Sequence, residues 1–265
     1  MVEAVAGDAG LFGPGSVAWR LHADPVVLIG GLRALLIQAL HPLAMAGVDQ
    51  HSDYKDDPWG RLNRTSQFVS TAIFGSTDEA KAAGAVVRRV HRKVKGIDPV
   101  TGDAYRAGDP ELLLWIHDVL VESCIVAYRR YGPGLSDEDA DRYVAEMVAM
   151  AELVGTPTDM VPTTLAGVRA HLRSMDPVLR MTPAARNGLR VVLAPPMHLA
   201  LRPLWVLPTS AAVALLPFRV RFMYRLPWFP PADLAVRATT MGLFTALRLA
   251  APEAPMVRAA RQRAA

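Results

Sequence analysis

Two short stretches of the chain carry side chains whose type and spacing suit the binding of a metal or an acidic cofactor. In Val87-Arg-Arg-Val90-His91-Arg-Lys-Val94, residues 87, 90, 91 and 94 recur at i, i+3, i+4 and i+7, so an imidazole stands on the stripe where an amphipathic helix wants an aliphatic side chain. Such a histidine is either an axial ligand to a metal or haem iron, or a core residue bonded to a backbone carbonyl. In Arg61-Leu-Asn-Arg64-Thr65 the three polar side chains share one helix face, which runs on through Phe68, Val69, Ala72 and Ile73. The planar guanidinium of Arg61 or Arg64 is built to clamp a carboxylate or propionate; its ordinary alternative is an ion pair with Asp53, Asp56 or Asp57. Thr65 either adds a hydrogen bond to the same site or bonds back to its own preceding turn. His117 falls on the line Leu113, Ile116, Leu120 and Cys124 and is a second candidate ligand with the same two readings. Polar groups on the apolar stripes of consecutive helices predict a site between those helices.

Other chemistries lack their residues. There is no glycine-rich phosphate loop, no Gly-x-Ser-x-Gly elbow and no His-Glu-x-x-His zinc pair. Neither Glu111 nor Glu122 has the histidine three residues later that a ferritin-like di-iron site needs. Cys124 is the single cysteine, so no internal disulfide and no two-cysteine zinc pattern can form. A reducing, cytoplasmic setting fits.

The elements that must position these residues read as helices. Asp-Pro pairs at 24–25, 57–58 and 109–110, with Thr182-Pro183 as a variant, combine an N-cap with proline at the first helical position. Helices are predicted over 25–40, 58–74, 110–131 and 137–154, with another capped by Ser76 or Thr77 and ended by Gly96. His41-Pro42 is expected to stop the first of them and open a polar loop through Asp57. Trp115, Asp118 and Glu122 around His117 read as the surface of a helix half in water. Short helices over 163–174, 182–192, 199–216 and 232–250 are broken by eight prolines between 195 and 231. No run alternates as a half-buried strand does. The fold class is all-α: one globin-like helical domain over 25–250 with an irregular Pro/Arg-rich C-terminal third, an N-terminal arm over 1–24 and a C-terminal tail, 251–265, that frays.

Half of the residues are hydrophobic, enough for a sizeable core. Charge is divided unevenly. Residues 1–159 hold 15 basic and 22 acidic side chains, whereas 160–265 hold 14 arginines, no lysine and only Asp176, Asp233 and Glu253, a net +11. The arginines are dispersed among apolar residues without a helix-turn-helix, zinc-finger or RNA-binding signature, which argues against nucleic acid as a partner. Between 202 and 228 they alternate with Trp205, Phe218, Phe222, Tyr224 and Trp228, a pattern of a buried hairpin, an apolar substrate mouth or a peripheral membrane contact. The N-terminus lacks the basic flank of a signal peptide, and the longest uncharged run, 203–218, is short of the roughly 20 residues that span a bilayer.

In order and spacing the chain resembles the catalytic-domain family of the rubber oxygenases, or latex-clearing proteins, and the MpaB-type oxygenases. The segments that carry the resemblance are His41-Pro42, Asp57-Pro-Trp-Gly-Arg61-Leu-Asn-Arg64-Thr65, Phe74-Gly75, Val90-His91 through Gly96-Ile-Asp-Pro99, and Asp109-Pro-Glu-Leu-Leu-Leu-Trp-Ile-His117, over about residues 25–230. The resemblance implies a helical core that binds b-type haem, with His91 as the iron ligand and Arg61 and Thr65 close to the haem. Where latex-clearing proteins place a lysine able to occupy the distal iron position, this chain has Arg64, whose guanidinium stays protonated and is a poor ligand. The implied activity is oxygenation of a lipophilic small molecule by dioxygen, with Arg61, Arg64 and Thr65 as catalytic residues and His117 as the reserve ligand. A non-catalytic haem- or lipid-binding helical protein is the alternative.

Overall fold

The computed structural model describes residues 7–265. Thirteen α-helices and one small hairpin make up the described residues: α1 (Val17–Ala23), α2 (Val27–Gln38), α3 (Pro42–His51), α4 (Pro58–Phe74), α5 (Thr77–Lys93), β1 (Lys95–Ile97), β2 (Ala104–Arg106), α6 (Pro110–Tyr131), α7 (Asp137–Val154), α8 (Leu165–Ser174), α9 (Pro183–Leu193), α10 (Arg202–Ala214), α11 (Phe218–Met223), α12 (Pro230–Ala250) and α13 (Pro255–Ala264). The all-α class is as the sequence reads. The antiparallel pair β1–β2 is only three residues per strand, with Gly96 opposite Tyr105, too short to show an alternating pattern.

Helix α6 is the axis of the molecule. It buries Leu112–Trp115, His117–Val119, Val121, Cys124, Ile125, Ala127, Tyr128 and Tyr131, so it is enclosed nearly all round, and α2 lies directly on it. Asp118 and Trp115 are therefore interior residues, not the wet face the sequence suggests. The close approach of α2 rests on Gly30, where a Cβ would sit 3.0 Å from the Cα of Cys124 and 3.2 Å from the Ser123 carbonyl oxygen. Neighbouring Gly31 faces open space. Gly30→Val is expected to destabilise the protein by about 1–3 kcal/mol through overpacking, and Gly31→Ala to stabilise it by up to about 1 kcal/mol through helix propensity. Urea midpoints of the two variants check both signs.

Around this axis sit three main apolar clusters. One joins α1, α4, α6 and α7 through Trp19, Ile73, Ile125, Tyr143 and Met147; a second joins α2 and α6 to α10 and α11 through Leu36, Trp115, Val213 and Tyr224; a third joins α2, α6, α10 and α12 through Ile29, Tyr131, Ala211 and Phe244. Burying each large aliphatic side chain contributes roughly 1.5–3 kcal/mol.

Several stretches differ from their sequence reading. Val17–Ala23, read as part of an N-terminal arm, form α1 and bury Trp19 and Leu21. Helix α2 begins at Val27 after Val26, and Asp24, expected to cap it, ends α1 instead. Helix α5 stops at Lys93, and Gly96, expected to end it, lies in β1. His41-Pro42 does end α2, but it also starts α3, because the His41 ring accepts a hydrogen bond from the Ala44 N–H and Pro42 takes the first helical position. Residues 42–51 are thus helix and only the part beyond His51 is loop. The proline-rich third resolves into α8–α13, with breaks where the prolines fall. The last residues, expected to fray, form α13 and bury Val257 and Ala260. Arg263 donates to the carbonyls of Phe74 and Asp8, and the Asp8 carboxylate accepts from the Thr77 N–H and hydroxyl. Both chain ends therefore clasp the turn between α4 and α5.

Candidate functional site

Helices α4 and α5 form an antiparallel hairpin, and its local sequence explains why. Asp57 caps α4 by accepting from the Gly60 N–H, with Pro58 next. Gly75 ends α4 where a Cβ would press on the Thr71 carbonyl, and Ser76 and Glu79 close a reciprocal capping box at the start of α5. Helix α5 then lies on the backbone of α7 at Gly84, where a Cβ would be 2.6 Å from the Leu153 carbonyl oxygen. Residues equidistant from the turn lie side by side, which brings Arg61 and Thr65, near the start of α4, to His91 and Val87, near the end of α5.

The stripe that carries His91 does not enter the core. Helix α5 buries only Ala80 and Gly84, and Val90 is 53% exposed. Val87, His91 and Val94 are half-buried. The stripe runs along the groove between α4 and α5 at the end away from their turn, with Val94 packed against Ala46 of α3 and Tyr105 of β2; this groove is the candidate recess. His91 is held below the ordinary imidazole pKa, first by burial and second by the positive charge of Arg61. Its Nδ1 is buried with no hydrogen-bond partner among the described residues. The alternative of a core histidine bonded to a carbonyl through that atom is therefore not what the geometry shows.

Arg61 donates from Nη1 to the Thr65 Oγ1 at 3.2 Å, and the Thr65 hydroxyl donates to the Arg61 carbonyl at 3.0 Å. The two side chains are locked together along one helix turn. The Arg61 pKa is lowered, chiefly by desolvation, then by Arg64, with Asp53 working the other way. Arg64 has a different setting: it pairs with Asp53 at 2.7 Å and Asp57 at 3.5 Å on open surface, so the ordinary ion-pair alternative describes it.

His117 is not brought to this recess by any contact. It is 6% exposed inside α6, and burial lowers its pKa to about 4. One residue on, Asp118 is wholly buried and accepts from the His171 ring of α8 at 2.8 Å. Burial raises the carboxyl of Asp118 while His171 opposes the rise. No spacing in the sequence signals this dyad, since nothing in it marks α6 as the helix enclosed nearly all round. Two surface clefts lie elsewhere, one of ≈ 360 Å³ at the junction of α1, α7 and α13 beside Trp19 and Arg142, and one of ≈ 310 Å³ along α9 at Arg186 and Arg190.

Among the described residues no three His, Cys, Asp or Glu side chains are grouped so as to hold a metal ion. A metal here must bring most of its own ligands. A haem does so, asking the protein for one imidazole and for cations near its propionates, and the unpartnered ring of His91 opposite Arg61 fits that demand.

The family model described as ER-bound oxygenase mpaB/B'/rubber oxygenase, catalytic domain, matches residues 19–248, a span that contains every residue of the recess. Among solved structures the chain is similar to latex clearing protein LCP in its closed state, at 17% identity and a TM-score of 0.60, covering 94% of this chain and 71% of that one, which shows a shared fold. Comparison with curated proteins finds no match. With the family model spanning most of its helices, the chain belongs to the mpaB/rubber oxygenase catalytic-domain family and is an oxygenase of that type.

Proposed function

We propose that the protein is a haem b-dependent oxygenase that uses dioxygen to oxidise a lipophilic small molecule at the recess between α4 and α5. The observation that carries this reading is the half-buried His91 ring beside Arg61, whose buried Nδ1 has no hydrogen-bond partner among the described residues and whose other nitrogen, Nε2, is the atom offered to iron. A pKa held below the ordinary value keeps the imidazole neutral at pH 7, so its lone pair is available to iron without competition from a proton. Haem supplies the activation of dioxygen when bound.

The other residues bind and orient. The bond to Thr65 fixes one arm of the Arg61 guanidinium and leaves its remaining N–H groups to meet a propionate carboxylate. Arg64, tied to Asp53 and Asp57 at the rim, holds the loop before α4 in place and adds positive potential. The exposed Val90 and half-buried Val87 give the wall an apolar surface, which suits a macrocycle face or a lipophilic substrate.

The test is hemin titration of the purified protein followed by an oxygen-electrode assay. A Soret band that saturates at one hemin per chain, and turnover that consumes dioxygen and not peroxide, are the expected results. Absence of a Soret band after hemin addition refutes the proposal, and peroxide-driven turnover replaces the oxygenase reading with a peroxidase one.

A further inference from the structure

Helix α12 presents an unusual surface. Its buried side chains are Thr240 and Phe244 alone; Asp233 and Arg248, half-buried on the same line, are tied inward to Arg130 and Asp24. Apart from half-buried Val236, the other side chains of this 21-residue helix are exposed, and from 238 to 247 none is charged. Leu234, Met241, Leu243 and Leu249 stand in solvent on both flanks of the buried line as well as opposite it. Immediately before α12, Phe218 and Phe222 stack on each other at 6.4 Å while 77% and 74% exposed, and Phe229 is 65% exposed. So many large apolar side chains exposed on two successive elements mark an interaction surface.

The charge around this surface indicates what covers it. Arg202, Arg221, Arg225 and Arg237 belong to the same region and form no ion pair among the described residues, within a half of the chain whose net charge is +11. Arginines of this kind extend their stems along apolar surface and place their heads at the level of lipid phosphates. A partner helix would cover one narrow seam; exposure over most of the circumference is the pattern of a helix half-immersed in a bilayer interface. Among the described residues no single helix is long and apolar enough to cross a membrane.

We infer that α11 and α12 dock the protein on an anionic membrane surface, with Phe218, Phe222, Met241 and Leu249 entering the acyl boundary and the unpaired arginines meeting the headgroups. This inference stands apart from the haem reading and survives its failure. The experiment is co-sedimentation of the full chain with vesicles of phosphatidylglycerol and phosphatidylcholine, against vesicles of phosphatidylcholine alone. Expected are binding to the anionic vesicles at low salt, at least tenfold weaker binding at high salt, and at least tenfold weaker binding by Met241→Gln/Leu249→Gln and by Phe218→Ser/Phe222→Ser. Hydrogen exchange of the unaltered protein provides a readout free of any folding defect: vesicles are expected to protect amides within 218–250. Equal binding to both vesicle types, no binding at low salt, or no protection in that span overturns the inference. A dimer in light scattering that Leu249→Gln dissociates, with no vesicle binding, overturns it in favour of a second copy of the chain.

Discussion

His91→Ala is expected to abolish the Soret band of the hemin-loaded protein, while His117→Ala leaves it in place. Removing an outer partner of a ligand already costs roughly 10–100-fold in metal affinity, so if His91 is the proposed iron ligand its loss weakens hemin binding by more than that. Adding imidazole to His91→Gly is expected to restore the band, since the deleted ring leaves room at the recess and no other function is missing. His117 sits within α6 at 6% exposure, and would reach a cofactor only if the packing around it opened. The same geometry predicts the pH dependence. Protonation removes the lone pair, and the His91 pKa lies below 6.5 because burial and Arg61 both disfavour the cation. Hemin affinity is then flat from pH 8 down to pH 6.5 and falls only below it. An unchanged band in His91→Ala, or an affinity that declines already between pH 8 and 7, would exclude His91 as the ligand.

Arg33→Met is expected to remove about 3–5 kcal/mol of stability. The Arg33 side chain is 3% exposed and donates to Glu122 at 2.6 Å, to the Ser123 hydroxyl at 2.6 Å and to the Leu215 carbonyl at 3.0 Å. It thereby joins α2 to α6 and to the chain that leaves α10. Taking away one partner of a buried pair leaves the other charge without compensation, which is the costly case. Native domains have only about 5–15 kcal/mol in total, so the variant is expected to be marginal at 37 °C. Arg33→Met/Glu122→Met removes both charges and is expected to recover most of the loss. Urea unfolding of both variants checks this, and a single variant within about 1 kcal/mol of the parent would show that Arg33 is not what holds these elements together.

Features with a local cause were legible before the structure. Asp57-Pro58, Ser76 with Glu79, Asp109-Pro110 and Ser136 each act through hydrogen bonds within a few residues, so the starts of these helices are legible; the end of α5 is not, because the helix stops at Lys93 and Gly96 enters the β1 pairing. His41-Pro42 was half legible: the pair blocks helical geometry at residue 41 yet favours it from residue 42, and only the first effect was read. What the sequence could not show is which faces meet. Periodicity gives Val87, Val90 and His91 one stripe, but whether that stripe meets a neighbour or an open recess depends on where α4 and α7 end. For the same reason Asp118 looked water-facing. Its burial follows from α2, α7 and α8 all packing on α6, a fact of tertiary arrangement that no window of residues contains. In α12, the low charge between 238 and 247 was visible as composition, but its exposure was not.

The clasp of Arg263, Asp8 and Thr77 at the turn of the α4–α5 hairpin has a consequence for how a large flat cofactor would enter under the proposed reading. The hairpin is fastened at the turn and along α7 at Gly84, and its far end is held by Trp59, which packs on Trp205 and donates to the Pro196 carbonyl, and by Val94, which packs against Ala46 and Tyr105. Entry beside His91 then asks for a local opening that breaks these far-end contacts while the clasp stays closed, a partial fluctuation and not global unfolding. Its rate is set by Trp59 and Val94, and strengthening the clasp would leave it unchanged.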